Sequence, residues 1–248
     1  MSERAAILAG LRAARPGAAA PAVDFSVIEE KRWEPRERVE RLVRAMGAVK
    51  TEFLEAGPGD WPQAVVDFVL REQLPNLLYG PGTAEGRALA AAWPARGPRL
   101  EPYDRPVESF KQDLFEGMAA GFTTTLGGIA ETGGLLLAPG PAEPRLLSLV
   151  PPVHLALLRT DRIFDTLLQA FRELGWTGAL PANALVISGP SKTADIEQTL
   201  AYGVHGPKRL MVLLVPPEPS GTSAQGLAPG PGRAPMLQGF LGVPGQDE

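Results

Sequence analysis

The sequence predicts an α/β fold with an open, mostly parallel sheet and helices on both faces. From residue 34 onward, short apolar runs alternate with amphipathic helical patterns, as strands and helices do when they alternate along a chain. The chain has 248 residues, of which 44% are hydrophobic, so it can bury one sizeable core. We expect three parts: a helix and linker over 1–33, the α/β domain over 34–216, and a flexible Pro/Gly-rich tail over 217–248.

Capping residues and apolar spacing predict most elements of the domain. A short amphipathic helix is expected over 2–15, ahead of the domain. Asp60 and Thr83 stand where helix N-caps are expected. We therefore predict, in order, a helix over 35–46, a strand over 48–54, a helix from Trp61, a strand over 76–79, a helix over 84–93, a strand over 99–103 and a helix over 161–174.

The end of the domain is predicted to form a βαβ unit. Residues 185–187 form a β-branched run typical of a buried strand, and residues 211–215 form a second apolar strand. Between them, residues 194–202 have a helical pattern, with a serine or threonine of the preceding loop as the cap. The loop 189–193 then lies where open α/β sheets bind ligands, beyond the carboxyl ends of their strands.

This loop has the chemistry of an anion site. Backbone N–H groups at a helix start have no partner within the helix, so they attract negative charge, and Lys192 adds a cation. Asp195 and Glu197 fall in the first turn and can satisfy the helix dipole themselves, so a well-capped structural helix is the alternative. The candidate ligand-binding residues of this segment are Gly189, Pro190, Ser191, Lys192, Thr193, Asp195 and Glu197.

Two loops raise the question of phosphate binding. In the loop 189–193, Lys192 and Thr193 fit the ending of a P-loop, but Ser191 stands where the second glycine belongs, which argues against that motif. The sequence Gly80-Pro81-Gly82 lies between a predicted strand and a predicted helix. A lone Gly-Pro-Gly is a weak signal, so we interpret it as a turn.

A second candidate site surrounds Glu131. Small residues and hydroxyl groups precede and follow this carboxylate, and glycines let a backbone or a ligand approach closely. Glu131 is the candidate catalytic residue, as a nucleophile or base, with Thr132 and Gly133 as ligand-binding neighbours. The alternative is a glutamate that caps an ordinary turn at the end of a strand.

Composition excludes several classes of function. The chain has no cysteine, so disulfides, thiol nucleophiles and cysteine-bound iron–sulfur clusters are excluded, and it has only two histidines, so we expect no metal site. The net charge of −4 argues against nucleic-acid binding. No apolar run has the length of a membrane span, and the start lacks the apolar core of a signal peptide, so we expect a soluble cytoplasmic protein.

The two histidines are not expected to act in the loop site. If the loop 189–193 lies at the carboxyl edge of the sheet, then His154, placed directly before a strand, and His205, placed after the predicted helix, lie at the opposite edge. We interpret both as structural or interface residues.

Two ordered sets of motifs resemble the lactate utilization protein C family (LutC/YkgG, the LUD domain). The first set is Ser188-Gly189-Pro190-Ser191-Lys192-Thr193-Ala194-Asp195-Ile196-Glu197 followed by Gly203-Val204-His205-Gly206-Pro207. The second set is Ile129-Ala130-Glu131-Thr132-Gly133-Gly134-Leu135, then Pro144-Arg145-Leu146-Leu147-Ser148-Leu149 and Pro151-Pro152-Val153-His154. Gly134 stands where the family's usual form, AETGT, has a second threonine. The matching blocks lie between residues 119 and 215.

The resemblance implies a NagB/RpiA/CoA-transferase-like fold and a part in bacterial L-lactate oxidation, with iron–sulfur proteins as partners. On that hypothesis the chain binds a small anionic ligand or a cofactor of unknown identity, not held through cysteine, at the loop 189–193. Two alternatives stay open: a non-catalytic assembly module of the same complex, and a CoA-transferase-like or isomerase-like enzyme that uses Glu131. A homo-oligomer is possible, and the sequence leaves open whether the chain is catalytic.

Overall fold

The computed structural model describes residues 3–13, 24–194, 200–202 and 206–218. The helices and strands belong to one compact unit, Met1–Pro217. Its helices are α1 (Glu3–Ala13), α2 (Ser26–Glu29), α3 (Pro35–Gly47), α4 (Trp61–Arg71), α5 (Ala84–Ala92), α6 (Leu146–Leu149) and α7 (Leu167–Glu173). Its strands are β1 (Glu52–Glu55), β2 (Asn76–Tyr79), β3 (Arg99–Pro102), β4 (Ala120–Thr124), β5 (Gly127–Ile129), β6 (Gly134–Leu137), β7 (Val153–Arg159), β8 (Ile163–Phe164), β9 (Leu185–Ile187), β10 (Lys192–Ala194), β11 (Leu200–Tyr202) and β12 (Arg209–Val215).

The central sheet has six strands in the order β1-β12-β7-β4-β2-β3, and every neighbouring pair is parallel. Its middle strands β7 and β12 are almost continuously apolar, as strands covered on both faces must be. The predicted open, mostly parallel α/β sheet is therefore confirmed. The more specific likeness to NagB/RpiA/CoA-transferase-like folds stays a prediction.

Alternate residues of the central strands pack against different layers. One face of the sheet packs on α4 and α5, through residues that include Phe68, Leu89, Phe122, Leu155 and Leu213. The other face packs on α3 and on a second sheet, through residues that include Leu42, Leu135, Ala156, Leu158 and Val212. The molecule is thus layered, with the central sheet in the middle.

The second sheet was not predicted. It has four strands in the order β8-β5-β6-β9, with antiparallel β5–β6 and β6–β9 pairs and a parallel β5–β8 pair. Its interior strand β6 is buried at every position, whereas Val186 on the edge strand β9 is exposed. The predicted buried strand over 185–187 therefore exists, but it lies at an edge of this second sheet.

Local patterns located the first half of the domain correctly and the second half less well. The predicted helices at 35–46, 84–93 and from Trp61 are confirmed, and Thr83 caps α5 by accepting a hydrogen bond from the Gly86 N–H. The helix predicted over 161–174 is wrong in its first half. There, a 3₁₀ turn and β8 precede α7, which begins at Leu167.

The N-terminal helix α1 is confirmed, and its apolar residues Ile7, Leu8 and Leu11 are exposed. The linker and most of the predicted tail lie outside the described residues. Within the part of the chain that the structure describes, no helix has both the length and the apolar character needed to cross a membrane.

Candidate functional site

The segment that carries the first motif has a loop and two paired antiparallel strands among its described residues, where a βαβ unit is predicted. β10 pairs with β11 in antiparallel orientation, so the helix prediction for 194–202 is wrong at both described ends, and residues 195–199 lie outside the described residues. Lys192 and Thr193 lie in β10, and Asp195 and Glu197 lie outside the described residues. The argument from a helix start therefore no longer supports an anion site at this loop.

The loop also lies at the other edge of the central sheet from the one predicted. The Ser191 N–H donates a hydrogen bond of 2.8 Å to the carbonyl oxygen of Pro207, two residues before β12 begins. Since β7 and β12 are parallel and start side by side, this contact holds the loop at the amino ends of both strands. The prediction of a carboxyl-edge loop was wrong because β9 belongs to the second sheet.

A cavity of about 230 Å³ lies beneath this loop. We call it the loop cavity. It combines hydroxyl groups of the motif with side chains of α6 and of the two central strands. Its lining residues are Ser148, Leu149, His154, Val186, Ile187, Ser188, Gly189, Ser191, Gly206, Pro207 and Leu210.

His154 is a buried polar side chain of the loop cavity. It is the second residue of β7, only 1% exposed, and its Nε2 lies 2.8 Å from the hydroxyl oxygen of Thr123 on β4. Its Nδ1 is buried without a hydrogen-bond partner in the described part of the chain. Burial lowers the pKa of His154 to about 3, so the imidazole is neutral near pH 7. Because buried polar atoms are normally paired, Nδ1 is a candidate contact for a ligand in the cavity.

Sequence reasoning had placed His154 at the edge of the sheet opposite the loop, and the structure brings the two together. Ser148 was part of a recognised motif but was not named as a site residue. Its hydroxyl group donates to the carbonyl oxygen of Arg145 and lines the same cavity. In the sequence, only the presence of all three residues in the two sets of motifs indicates that Ser148, His154 and Ser191 belong to one site. His205 lies outside the described residues.

Glu131, Thr132 and Gly133 occupy the tight turn between β5 and β6, and they do not line the loop cavity. The Glu131 carboxylate forms an ion pair with Lys31, and both side chains are partly exposed. Gly133 has a φ of +70°, which favours glycine, and a Cβ there would lie 2.6 Å from the Cβ of Ala45 on α3. Lys31 therefore stands beside the carboxylate that an enzyme using Glu131 would need.

Among the described residues, no group of three or more His, Asp and Glu side chains is placed to hold a metal ion. The loop cavity is lined mainly by hydroxyl, imidazole and apolar groups, and Lys192 follows Ser191 as an exposed cation. Such a lining suits a small polar organic molecule.

Comparison with known proteins assigns the family, since the model of the LUD domain family matches residues 39–215. The chain belongs to the LUD domain family. A crystal structure of a DUF162 family protein from Deinococcus radiodurans superposes with a TM-score of 0.54 and covers 74% of this chain and 99% of that one. At 18% identity, this likeness supports the fold alone.

The relatives of this LUD domain differ in how much of each chain is matched. An uncharacterized protein of Neisseria meningitidis serogroup B is 39% identical over 185 residues, which cover 73% of this chain and 78% of that protein. Lactate utilization protein C of Halalkalibacterium halodurans is 37% identical over 91 residues, or 35% of this chain and 40% of that one. The lactate utilization protein C of Shouchella clausii is 36% identical over 90 residues, which cover 35% of this chain and 39% of that protein. The match thus spans about two fifths of the length of these lactate utilization proteins.

Proposed function

We propose that the protein is a component of an L-lactate utilization system and works there with iron–sulfur partner proteins. The observation that carries the proposal is membership of the LUD domain family together with relatives named lactate utilization protein C. The chain has no cysteine, so any iron–sulfur cluster held by cysteine would belong to a partner. In this proposal the chain supplies a binding site rather than a redox centre.

We assign the small anionic ligand of this proposal to the loop cavity. A 2-hydroxy acid offers carboxylate oxygens that accept hydrogen bonds and a hydroxyl group that both donates and accepts. The hydroxyl groups of Ser188 and Ser191 can donate to such a carboxylate. His154 can donate through Nδ1–H if the Thr123 hydroxyl group donates to its Nε2. Lys192, next to Ser191 and exposed, supplies the positive charge.

Growth of a strain lacking this gene tests the pathway role. The strain should grow poorly on L-lactate as the sole carbon source and normally on pyruvate, and the wild-type gene should restore growth. Lys192→Ala should restore growth poorly, whereas Lys111→Ala, which removes an exposed lysine away from the cavity, should restore it fully. Unimpaired growth of the deleted strain on L-lactate, without a redundant lactate dehydrogenase, would overturn the proposal.

One observation favours a second candidate, an assembly module without ligand. Val186 is 55% exposed on β9, an edge strand of the second sheet, directly beside the motif loop. Edge strands with exposed apolar residues are suited to pairing with another chain. On this reading, Val186→Lys should abolish co-purification with the iron–sulfur proteins. Leu180→Lys, at a residue that is 67% exposed, is the matched control.

A further inference from the structure

The central sheet has a topological switch point between β2 and β4. These neighbouring strands are parallel, but the chain leaves β2 through α5 to reach β3 on one side, and leaves β4 to reach β7 on the other side. The connections therefore diverge and open a crevice beyond the carboxyl ends of β2 and β4. In open α/β sheets such a crevice is where ligands bind. The loop 189–193 lies at the opposite edge of this sheet.

The chain after β6 folds back into this crevice. A Cβ at Gly80 would lie 2.3 Å from the carbonyl oxygen of Ala142 and 2.8 Å from Cγ of Glu143. A Cβ at Gly82 would lie 2.9 Å from Cβ of Ala142. The Gly80-Pro81-Gly82 turn, which sequence reasoning treated as a plain turn, is therefore the surface against which Glu143 is placed.

Glu143 is held in the crevice by β4. Its carboxylate accepts hydrogen bonds from the Thr124 N–H at 3.1 Å and from the Thr124 hydroxyl group at 2.7 Å. Burial raises the pKa of Glu143, the hydrogen bonds from Thr124 oppose this, and the charge of Glu85 adds to the increase. Glu143 is partly buried and has no cationic partner among the described residues, which makes its carboxyl group a candidate functional group.

A small cavity of about 50 Å³ lies beside this carboxyl group, and we call it the crevice cavity. Its volume corresponds to roughly three to five water-sized positions, close to a three-carbon molecule with two or three oxygens. It is lined by hydroxyl groups, one carboxyl group and apolar side chains. The lining residues are Thr123, Thr124, Thr125, Leu126, Leu137, Ala138, Pro139, Glu143, Pro144 and Ser148.

Three of the four hydroxyl groups that line the crevice cavity already use their protons within the protein. Thr124 donates to Glu143, Thr125 donates to the carbonyl oxygen of Leu157, and Ser148 donates to that of Arg145. What these groups can still offer a ligand is therefore acceptor lone pairs. A ligand that matches them must bring hydrogen-bond donors.

Charge restricts the ligand further. No Lys, Arg or His lines the crevice cavity among the described residues, and the nearby Glu85 repels negative charge, so a carboxylate or phosphate is disfavoured. A single lining carboxylate is fewer than a Ca²⁺ site normally has. Organic ammonium ions and uncharged donors remain. Five of the ten lining residues are apolar and only one is a carboxylate, so removing an ammonium ion from water would be costly, and hydroxyl donors fit this lining better.

We propose that the crevice cavity is a binding site for a small uncharged polyol, a three-carbon diol or triol, whose hydroxyl groups donate to acceptors among Glu143, Thr124 and Thr125. This site differs from the loop cavity in ligand charge, and Ser148 is the residue that lines both cavities. It also goes beyond the proposed role in lactate utilization, because L-lactate itself is an anion.

Three compounds with the same carbon skeleton test the proposal. Propane-1,2-diol is uncharged, 1-amino-2-propanol is a cation, and L-lactate is an anion. Each is titrated into the full-length protein with ¹³C-labelled threonine methyl groups, and the methyl signals are followed by NMR. The diol should produce saturable shifts at Thr124 and Thr125, and the two charged compounds should produce none there.

Variants locate the binding. Glu143→Ala should abolish the diol-induced shifts, and Glu143→Gln should weaken the apparent affinity at least fivefold, because an amide donor replaces an acceptor facing the ligand. Glu55→Ala, an exposed carboxylate at the end of β1, should change nothing, and Lys192→Ala should also leave diol binding unchanged. Absence of saturable shifts with the diol, stronger shifts with the amine or with L-lactate, or diol binding unaffected in folded Glu143→Gln would each overturn the proposal.

Discussion

Replacing His154 with glutamine should make the protein less sensitive to acid. His154 is neutral and buried in the folded state, with its pKa lowered to about 3, whereas its pKa is about 6.5 in an unfolded chain. Between these two values the unfolded state binds one more proton than the folded state at this residue. Acidification therefore favours unfolding, and the stability present above pH 6.5 is lost progressively as the pH falls towards 3.

The magnitude follows from the two pKa values. Each pH unit within the window costs about 1.4 kcal/mol, so lowering the pH from 7.5 to 4.5 should remove about 2.6 kcal/mol of stability through His154 alone. Urea denaturation of wild type and His154→Gln at four pH values measures this directly. Other groups titrate alike in both proteins, so the difference between the two free energies of unfolding isolates His154. A difference that does not change with pH would refute a neutral, buried imidazole at this position.

Three further substitutions test one close packing contact and two ion pairs, each by chemical denaturation. Gly121→Ala should lower the free energy of unfolding by more than about 2 kcal/mol, because the new Cβ would lie 2.3 Å from a backbone carbonyl oxygen of α6. Gly140→Ala is the control: its Cβ would meet nothing within 4 Å, so the free energy of unfolding should hardly change. Asp165→Ala should lower the free energy of unfolding by about 3 kcal/mol. This carboxylate is fully buried and forms an ion pair with Arg38 of α3, which the substitution would break. Glu131→Gln should cost less than about 1 kcal/mol, because its ion pair is partly exposed, and a larger loss would show that the pair is structural.

The sequence predicted elements whose signals are local. α4 and α5 begin at predicted capping positions and carry their apolar residues at helical spacing, so they could be located without knowledge of their neighbours. β12 could be found because a strand buried on both faces is continuously apolar.

Elements that depend on distant partners were missed. The pattern of residues 194–202 favours a helix by propensity, yet β10 and β11 pair with each other there. Residues 163–164 have helical spacing, but they pair with β5, which lies more than 30 residues earlier. Such pairing depends on tertiary contacts that override local preference.

The candidate sites likewise have parts that a local motif predicts and parts that depend on distant segments of the chain. The motif identified the loop with Ser191, but its grouping with His154 and Ser148 depends on which edge of the sheet the loop occupies. A wrong assignment of β9 to the central sheet was enough to separate them. Glu143 had no local signal, because its position depends on the path of the chain after β6 and on the glycines that admit it.

The imidazole ¹⁵N signals of His154 test the central claim, that the loop cavity binds the ligand. The chain has two histidines, so the spectrum is simple, and the two ring nitrogens of His154 report on different contacts. Titration with L-lactate should shift Nδ1 of His154 in a saturable manner, leave Nε2 bonded to Thr123, and have a much weaker effect in Lys192→Ala. If both nitrogens keep their shifts at every lactate concentration, the loop cavity is not the lactate site.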